Sequence, residues 1–431
     1  MRSLKINRAA FVMGGLPLSY MLNDALMFEV GSIYLTPYKV VLLLSAAFLF
    51  ESFLSFYQTK KNILSSISVF FIGYCLLILI SVFYSGGLEI SQKINYCLII
   101  SSEIIIIIGL TYKLQNVNIS RIINSFIKIV LLIFFSSLVL STAQLIFKDQ
   151  IIYTGLLASR KITYAITGFN IERLFLSEFL IFGLAMIMFA NKYSKKSRLI
   201  LFIWVGFLIV YSGSFTGILG FLGLTMILIK RINFKSFLFL LIIIIPFFLF
   251  NKIDLGESIN SKLSFNEAKF ESYYTNASEE NWRFISSLAL IKEVISNPTI
   301  FGHGFLANAI FLKDVNYYYS RSKYGISKTT DKENTSHTFV SIIYDQGILG
   351  LVVLSTFLIK LLILVLKLYR NRIYNLGTNY NLILKITLIL SILVLLRFTF
   401  YYHTINHWHY LILVIFSNIL LLSKKNMTIT K

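Results

Sequence analysis

Five histidines occur in the chain: His303, His337, His403, His407 and His409. Imidazole is the usual general base near neutral pH, and the spacing His403-x-x-x-His407-x-His409 is one that can also hold a metal. That triplet brings no obvious fourth ligand and sits among aromatic residues, so it reads as part of an interfacial belt, and no metal is expected. His303 stands between Gly302 and Gly304, a pair suited to a tight turn that presents backbone N–H groups to an anion. Arg160 and Arg173 flank a short segment that contains Glu172, Arg283 opens a stretch of helical periodicity, and Arg397 lies near the end of an apolar run. Guanidinium grips phosphate oxygens in a fixed fork and stays charged. The alternative for these arginines is snorkelling, or pairing with Glu172 and Glu178. Glu103 and Lys360 are the ionisable groups set deepest in apolar runs, where a charge is either paired inside the bundle or functional. Walker A, Gly-x-Ser-x-Gly and His-Glu-x-x-His motifs are missing from the sequence. Cys75 and Cys97 both lie in apolar runs and read as small hydrophobes.

The elements that must position these groups follow from composition. Of 431 residues, 57% are hydrophobic and 14% charged, with a mean hydropathy of +0.76. Soluble proteins run at about 45–50% apolar and about 25% charged, so a soluble enzyme, a disordered chain and a fibrous protein are excluded. Lys+Arg outnumber Asp+Glu by 40 to 19. That excess suits nucleic acid, but it also suits a membrane protein whose cytoplasmic loops collect basic residues, and no nucleic-acid partner is expected. A span needs about 20 apolar residues. Candidates are 9–28, 37–56, 63–84, 94–112, 122–147, 174–190, 198–212, 215–230, 236–250, 347–368, 381–402 and 410–423. The first is interrupted by Asn23 and Asp24, follows a basic start and reads as an uncleaved helix.

With both termini inside, the inner loops hold Lys60 and Lys61, Lys113 and Arg121, Lys192 to Arg198, Lys230 to Lys235, Lys367 to Arg372, and Lys424 and Lys425. Glu51 is the nearest acid to any of them. The expected fold is therefore all-α and polytopic, one transmembrane domain over 1–431, with long outer segments at 148–173 and 251–346. Within the second, residues 281–295 have helical apolar spacing and stop at Asn297-Pro298, which predicts an amphipathic helix on the outer membrane boundary.

Three stretches carry a resemblance. Asn297-Pro-Thr-Ile-Phe-Gly-His-Gly-Phe305 resembles the Pro-x-x-x-Gly-x-Gly segment of the O-antigen ligase/polymerase superfamily. Ser336-His337-Thr-Phe-Val-Ser-Ile-Ile-Tyr-Asp-Gln-Gly347-Ile-Leu-Gly350 resembles its His-Asn-x-x-Leu…Gly-x-x-Gly motif, and Ser212-Gly-Ser-Phe-Thr-Gly217 resembles its Ser-Arg-x-Gly turn. His337 stands one residue closer to Gly347 than that pattern has it, leaving Ser336 at the aligned position, and Phe215 replaces the usual arginine. With these departures the chain resembles the Wzy-type polymerases more than the ligases.

The resemblance implies a metal- and cofactor-independent glycosyltransferase with a GT-C-like fold of about twelve spans in a bacterial cytoplasmic membrane. Undecaprenyl-pyrophosphate-linked glycans would be both donor and acceptor. The implied partners are membrane lipid, a chain-length regulator and a flippase. His337 would be the base, and Arg160 and Arg173 would stabilise the leaving pyrophosphate. Arg283, Arg397, Gly302, His303, Gly304 and Glu172 would contact substrate. An O-antigen ligase and a lipid-linked oligosaccharide flippase are the alternatives; the long 251–346 segment speaks against the flippase.

Overall fold

A computed structural model describes residues 8–22, 28–30, 33–59, 64–114, 119–147, 173–190, 193–228, 290–291, 293–308, 311, 338–370, 378–400 and 408–429. In hydrocarbon no water can satisfy a backbone amide or carbonyl, so apolar runs of this length fold as helices. Eleven helices of fourteen or more residues are found among the described residues: α1 (Arg8–Met21), α2 (Pro37–Thr59), α3 (Ser66–Tyr84), α4 (Ile90–Leu114), α5 (Ile119–Phe147), α6 (Arg173–Ala190), α7 (Lys195–Tyr211), α8 (Phe215–Leu228), α9 (Thr338–Arg370), α10 (Thr378–Phe400) and α11 (Trp408–Ile429). Five of them contain a stretch long and apolar enough to cross a membrane: Pro37–Gln58, Ser66–Tyr84, Ile90–Leu114, Ile122–Phe147 and Phe339–Leu364. Shorter apolar segments lie within α6, α8, α10 and α11. The chain is an α-helical membrane protein.

Eleven of the twelve expected spans coincide with these helices, and the twelfth, 236–250, lies outside the described residues. Two differences have physical reasons. α1 stops at Met21, just short of Asn23 and Asp24, and a small hairpin follows, β1 (Phe28–Val30) and β2 (Ile33–Leu35), pairing Glu29 with Tyr34. Aromatic and β-branched residues on either side of Gly31-Ser32 are a hairpin signal. α9 begins at Thr338, so 338–346 is helix rather than the end of an outer loop.

Packing is closest between α2 and α4. Gly109 allows it: a Cβ there would stand 2.8 Å from the Leu49 carbonyl oxygen, the small-residue approach typical of membrane helices. Phe126 of α5 meets Phe182 of α6 and Phe416 of α11 edge-on, and Phe71 of α3 packs on Phe357 of α9. Large apolar side chains such as Phe83, Val139, Ile203 and Ile359 point outward, as a lipid-facing surface requires. At the bundle's rim Arg8 meets Glu51 at 3.5 Å, which gives that acid a basic partner on α1.

One buried polar node joins three helices. Asn418 Oδ1 accepts from the Ser65 amide at 2.8 Å and from Ser68 Oγ at 2.6 Å, and its Nδ2 donates to Thr111 Oγ1 at 3.0 Å. Ser65 is itself the N-cap of α3. Replacing Asn418 with leucine strands these groups, a loss of about 1–3 kcal/mol. Asn418→Leu should therefore lower the thermal unfolding midpoint of the detergent-solubilised protein, whereas Ile359→Leu on the lipid face should leave it unchanged.

Candidate functional site

α9 is broken at Gly347, whose φ of 69° and ψ of −167° are not helical. A break strands carbonyls at the end of one half and amides at the start of the next. The segment 299–305 takes up both sets. The amides of His303 and Gly304 donate to the carbonyls of Tyr344 and Asp345, each at 2.9 Å. In return the amides of Ile348 and Leu349 donate to the carbonyls of Thr299 and Ile300, each at 3.1 Å. The same segment closes on the end of α3. The Phe305 amide donates to the Ser81 carbonyl, Ser85 Oγ donates to the Phe305 carbonyl, and the Tyr84 hydroxyl donates to the Phe301 carbonyl.

Glycine is required where the backbones cross. Gly302 has φ of 77°, and a Cβ there would stand 2.4 Å from the Asp345 carbonyl. A Cβ on Gly347 would stand 2.3 Å from the Ile300 oxygen. Both positions therefore need left-handed φ and have no room for a side chain.

Beneath the crossing, Asp345 is almost fully buried and is held by Asn308: Oδ1 accepts from the Asn308 amide at 2.7 Å and Oδ2 from its Nδ2 at 2.6 Å. The neighbouring Leu306 has φ of 62°, the one non-glycine residue with positive φ among the described residues, and its amide also interacts with the Asp345 carboxylate. A charge-assisted grip of this kind can hold a strained backbone. On the adjoining face Tyr344 stacks against the exposed imidazole of His303, ring centroids 4.4 Å apart, with Phe311 at 5.2 Å. Leu290, Val294, Ala307 and Val340 pack around Tyr344. The result is one solvent-accessible imidazole, clamped flat, on a backbone that cannot drift. Such a group can take or give a proton.

Parts of two of the three stretches that carry the resemblance, Asn297 to Phe305 and Ser336 to Gly350, thus form a single junction, with Ser336 and His337 outside the described residues. The third, Ser212 to Gly217, is elsewhere: Ser214 Oγ accepts from the Gly217 amide at 3.1 Å, and Gly217 lies against Ser177 of α6. Gly302-His303-Gly304 forms the expected tight turn. The amides of His303, Gly304 and Phe305 are all spent on carbonyls, which leaves the His303 side chain as the turn's chemical group. The expected helix before Asn297 is present at 290–291 and 293–296, with 281–289 and 292 outside the described residues. Leu290 and Val294 dock it on α9, while Ile291 and Ile295 face outward.

His337, Arg160, Glu172 and Arg283 lie outside the described residues. Arg173 begins α6 and Arg397 lies in the last turn of α10, with their side chains also outside the described residues.

Sequence reasoning missed two constellations. Asp345 and Asn308 are far apart in the chain, and only an acid inside an otherwise apolar run hinted at the first. His409 was read as a belt residue. Instead it is 2% exposed, stacks on Trp408 with centroids 4.0 Å apart, and places Nε2 3.5 Å from Glu178 Oε2. His403 and His407 lie outside the described residues. Lys360 sits over the Phe70 ring at 5.4 Å, a cation–π contact that accounts for it structurally.

Alanine at Gly302 or Gly347 should cost at least about 1–2 kcal/mol from left-handed φ alone, and more from backbone overlap. Each variant should lose the docking of 299–305, read as new protease cleavage near that segment in the folded protein. Asp345→Ala should do the same by stranding the Asn308 donors. His303→Ala should leave cleavage unchanged, because its docking bond is main-chain.

No protein-family model matches the chain, and no curated protein matches it.

Proposed function

We propose that the chain is a Wzy-type polymerase of undecaprenyl-pyrophosphate-linked oligosaccharide repeat units, acting at the outer face of a bacterial cytoplasmic membrane. In this reading the eleven described helices and the apolar run 236–250 make a GT-C-like bundle of twelve spans with both termini cytoplasmic. The observation that supports it is the junction of 297–305 with 344–350, since these separate stretches carry the resemblance and meet through main-chain bonds.

The chemistry needs no metal. An acceptor hydroxyl attacks the anomeric carbon of the donor, the bond from that carbon to the pyrophosphate oxygen breaks, and a base takes the hydroxyl proton. His337, immediately before α9, is the proposed base. Arg160 and Arg173 hold the pyrophosphate, with Arg283, Arg397 and Glu172 on the substrate and His303 at the rim. The growing glycan is the donor, a second lipid-linked unit is the acceptor, and a flippase and a chain-length regulator are the proposed partners.

A lipid-linked oligosaccharide flippase is the second reading, and one observation favours it: ionisable groups inside the bundle, namely Glu103 and the Glu178–His409 pair. Deleting the gene and running surface glycans on a gel separates the readings. Glycans of one repeat are expected for a polymerase. Lipid-linked polymer lacking its final acceptor would mean a ligase, and repeat units trapped on the cytoplasmic face would mean a flippase. In complementation, Arg173→Lys should lose most polymer, because an ammonium cannot reproduce the bidentate fork. His337→Gln should lose about 10²–10⁴-fold in rate if the imidazole is the base. Normal polymer from both variants at wild-type abundance refutes these assignments.

Orientation has its own test. A cysteine at position 276 should react with an impermeant reagent in intact spheroplasts, and one at position 194 should react only after the membrane is opened.

A further inference from the structure

Four acids and imidazoles are buried among the described residues: Glu103, Glu178, Asp345 and His409. No lysine or arginine is buried with them. Three carboxyl groups therefore face one imidazole. Asp345 is met by the Asn308 donors and Glu178 by His409. Glu103 has neither kind of partner. It is fully buried midway along α4, and neither carboxyl oxygen has a hydrogen-bond partner. An unpaired charge at that depth is strongly disfavoured, and such residues in membrane bundles mark ion pathways or proton relays.

The surroundings of Glu103 are themselves titratable. Tyr38 of α2 is within electrostatic reach, and its buried hydroxyl also has no hydrogen-bond partner. The Tyr38 ring meets Tyr20 of α1 edge-on, centroids 5.3 Å apart, and Tyr20 faces His409 of α11 at 6.5 Å. His409 then reaches Glu178 of α6. On the other flank Cys75 of α3 is within electrostatic reach of Glu103, and Tyr74 beside it interacts with Gln346 and Asp345 next to the α9 break. Tyr410 is a further buried tyrosine on α11, and Lys39, half-buried, follows Tyr38 on α2. Lys93 and Lys113 lie towards the two ends of α4.

We propose that Glu103 is a proton-binding site within the membrane, its buried and unpartnered carboxyl lying in the middle of α4. The ligand is a proton, which one carboxyl oxygen can hold, whereas a metal cation needs several ligands, and among the described residues no group of three or more His, Cys, Asp or Glu comes together. The Glu103 carboxylate gains one proton from water and returns it to water, with charge conserved and no redox partner. The inference stands apart from the glycosyl-transfer reading, because it needs only the bundle and no substrate.

The test uses the full-length protein in lipid nanodiscs, followed by infrared spectroscopy while pH is stepped in water and in heavy water. A carbonyl stretch of a protonated carboxyl, shifted by deuterium, is expected in the wild type and should be lost in Glu103→Gln. The pH midpoint of that band should shift in Tyr38→Phe and in Cys75→Ala, the two neighbours that interact with Glu103. These two variants also serve if Glu103→Gln fails to fold, as judged by its elution in detergent. Wild-type and Glu103→Gln spectra that superimpose at every pH overturn the proposal. So does an unmoved midpoint in both Tyr38→Phe and Cys75→Ala. A carboxylate signal that answers to sodium or potassium rather than to pH overturns it too, in favour of a metal-cation site.

Discussion

A broken helix inside a membrane cannot leave its loose main-chain groups to water, and this constraint organises the region around α9. The break at Gly347 exposes carbonyls at Tyr344 and Asp345 and amides at Ile348 and Leu349, and one segment, 299–305, answers all four. That segment must then run so close to the helix that only glycine fits at 302 and 347. Its far edge caps the last turn of α3 through Ser81 and Ser85. The Asp345–Asn308 grip, the positive φ of Leu306 and the clamp of Tyr344 on His303 all follow from holding this crossing in place.

The fold was largely legible because its signal is coarse. Apolar runs locate helices without any knowledge of contacts, and the runs at 37–56, 63–84 and 122–147 correspond closely to α2, α3 and α5. Local polar cues were misleading where tertiary partners decide the outcome. Residues 338–346, with Ser341, Asp345 and Gln346, look like loop because polar residues interrupt the run. They are helix, with Asn308 holding the Asp345 carboxylate and the 299–305 segment taking up the carbonyls of Tyr344 and Asp345.

The candidate site was legible in part for the same reason. Glycines at 302, 304 and 347 mark unusual backbone in any sequence, so both halves of the junction stood out separately. Their mutual hydrogen bonds could not, because nothing in residue spacing states which carbonyl a distant amide will find. The Glu178–His409 pair was hidden more deeply. Each residue had a plausible local role, as an arginine partner and as a belt histidine, and only the packing of α6 against α11 aligns them. The buried polar groups also divide into two kinds. Asn418 and Asp345 have their hydrogen bonds met and act as fasteners, whereas Glu103 has none and is structurally expensive without a compensating occupant.

The junction also ties together parts of the chain that are made at very different times. α3 leaves the ribosome early, with the Ser81 carbonyl and the Ser85 hydroxyl lacking their later partners. Those partners emerge only after α8 has been made, when 299–305 arrives, and that segment in turn lacks half of its own bonds until α9 follows. The second half of α9 is apolar enough to enter the membrane unaided. The first half, with Asp345 and Gln346, becomes a comfortable membrane segment only once it has docked. Biogenesis therefore has a natural order in which α3 serves as a waiting template, and α9 is the clasp that shuts once α1 to α8 have been made.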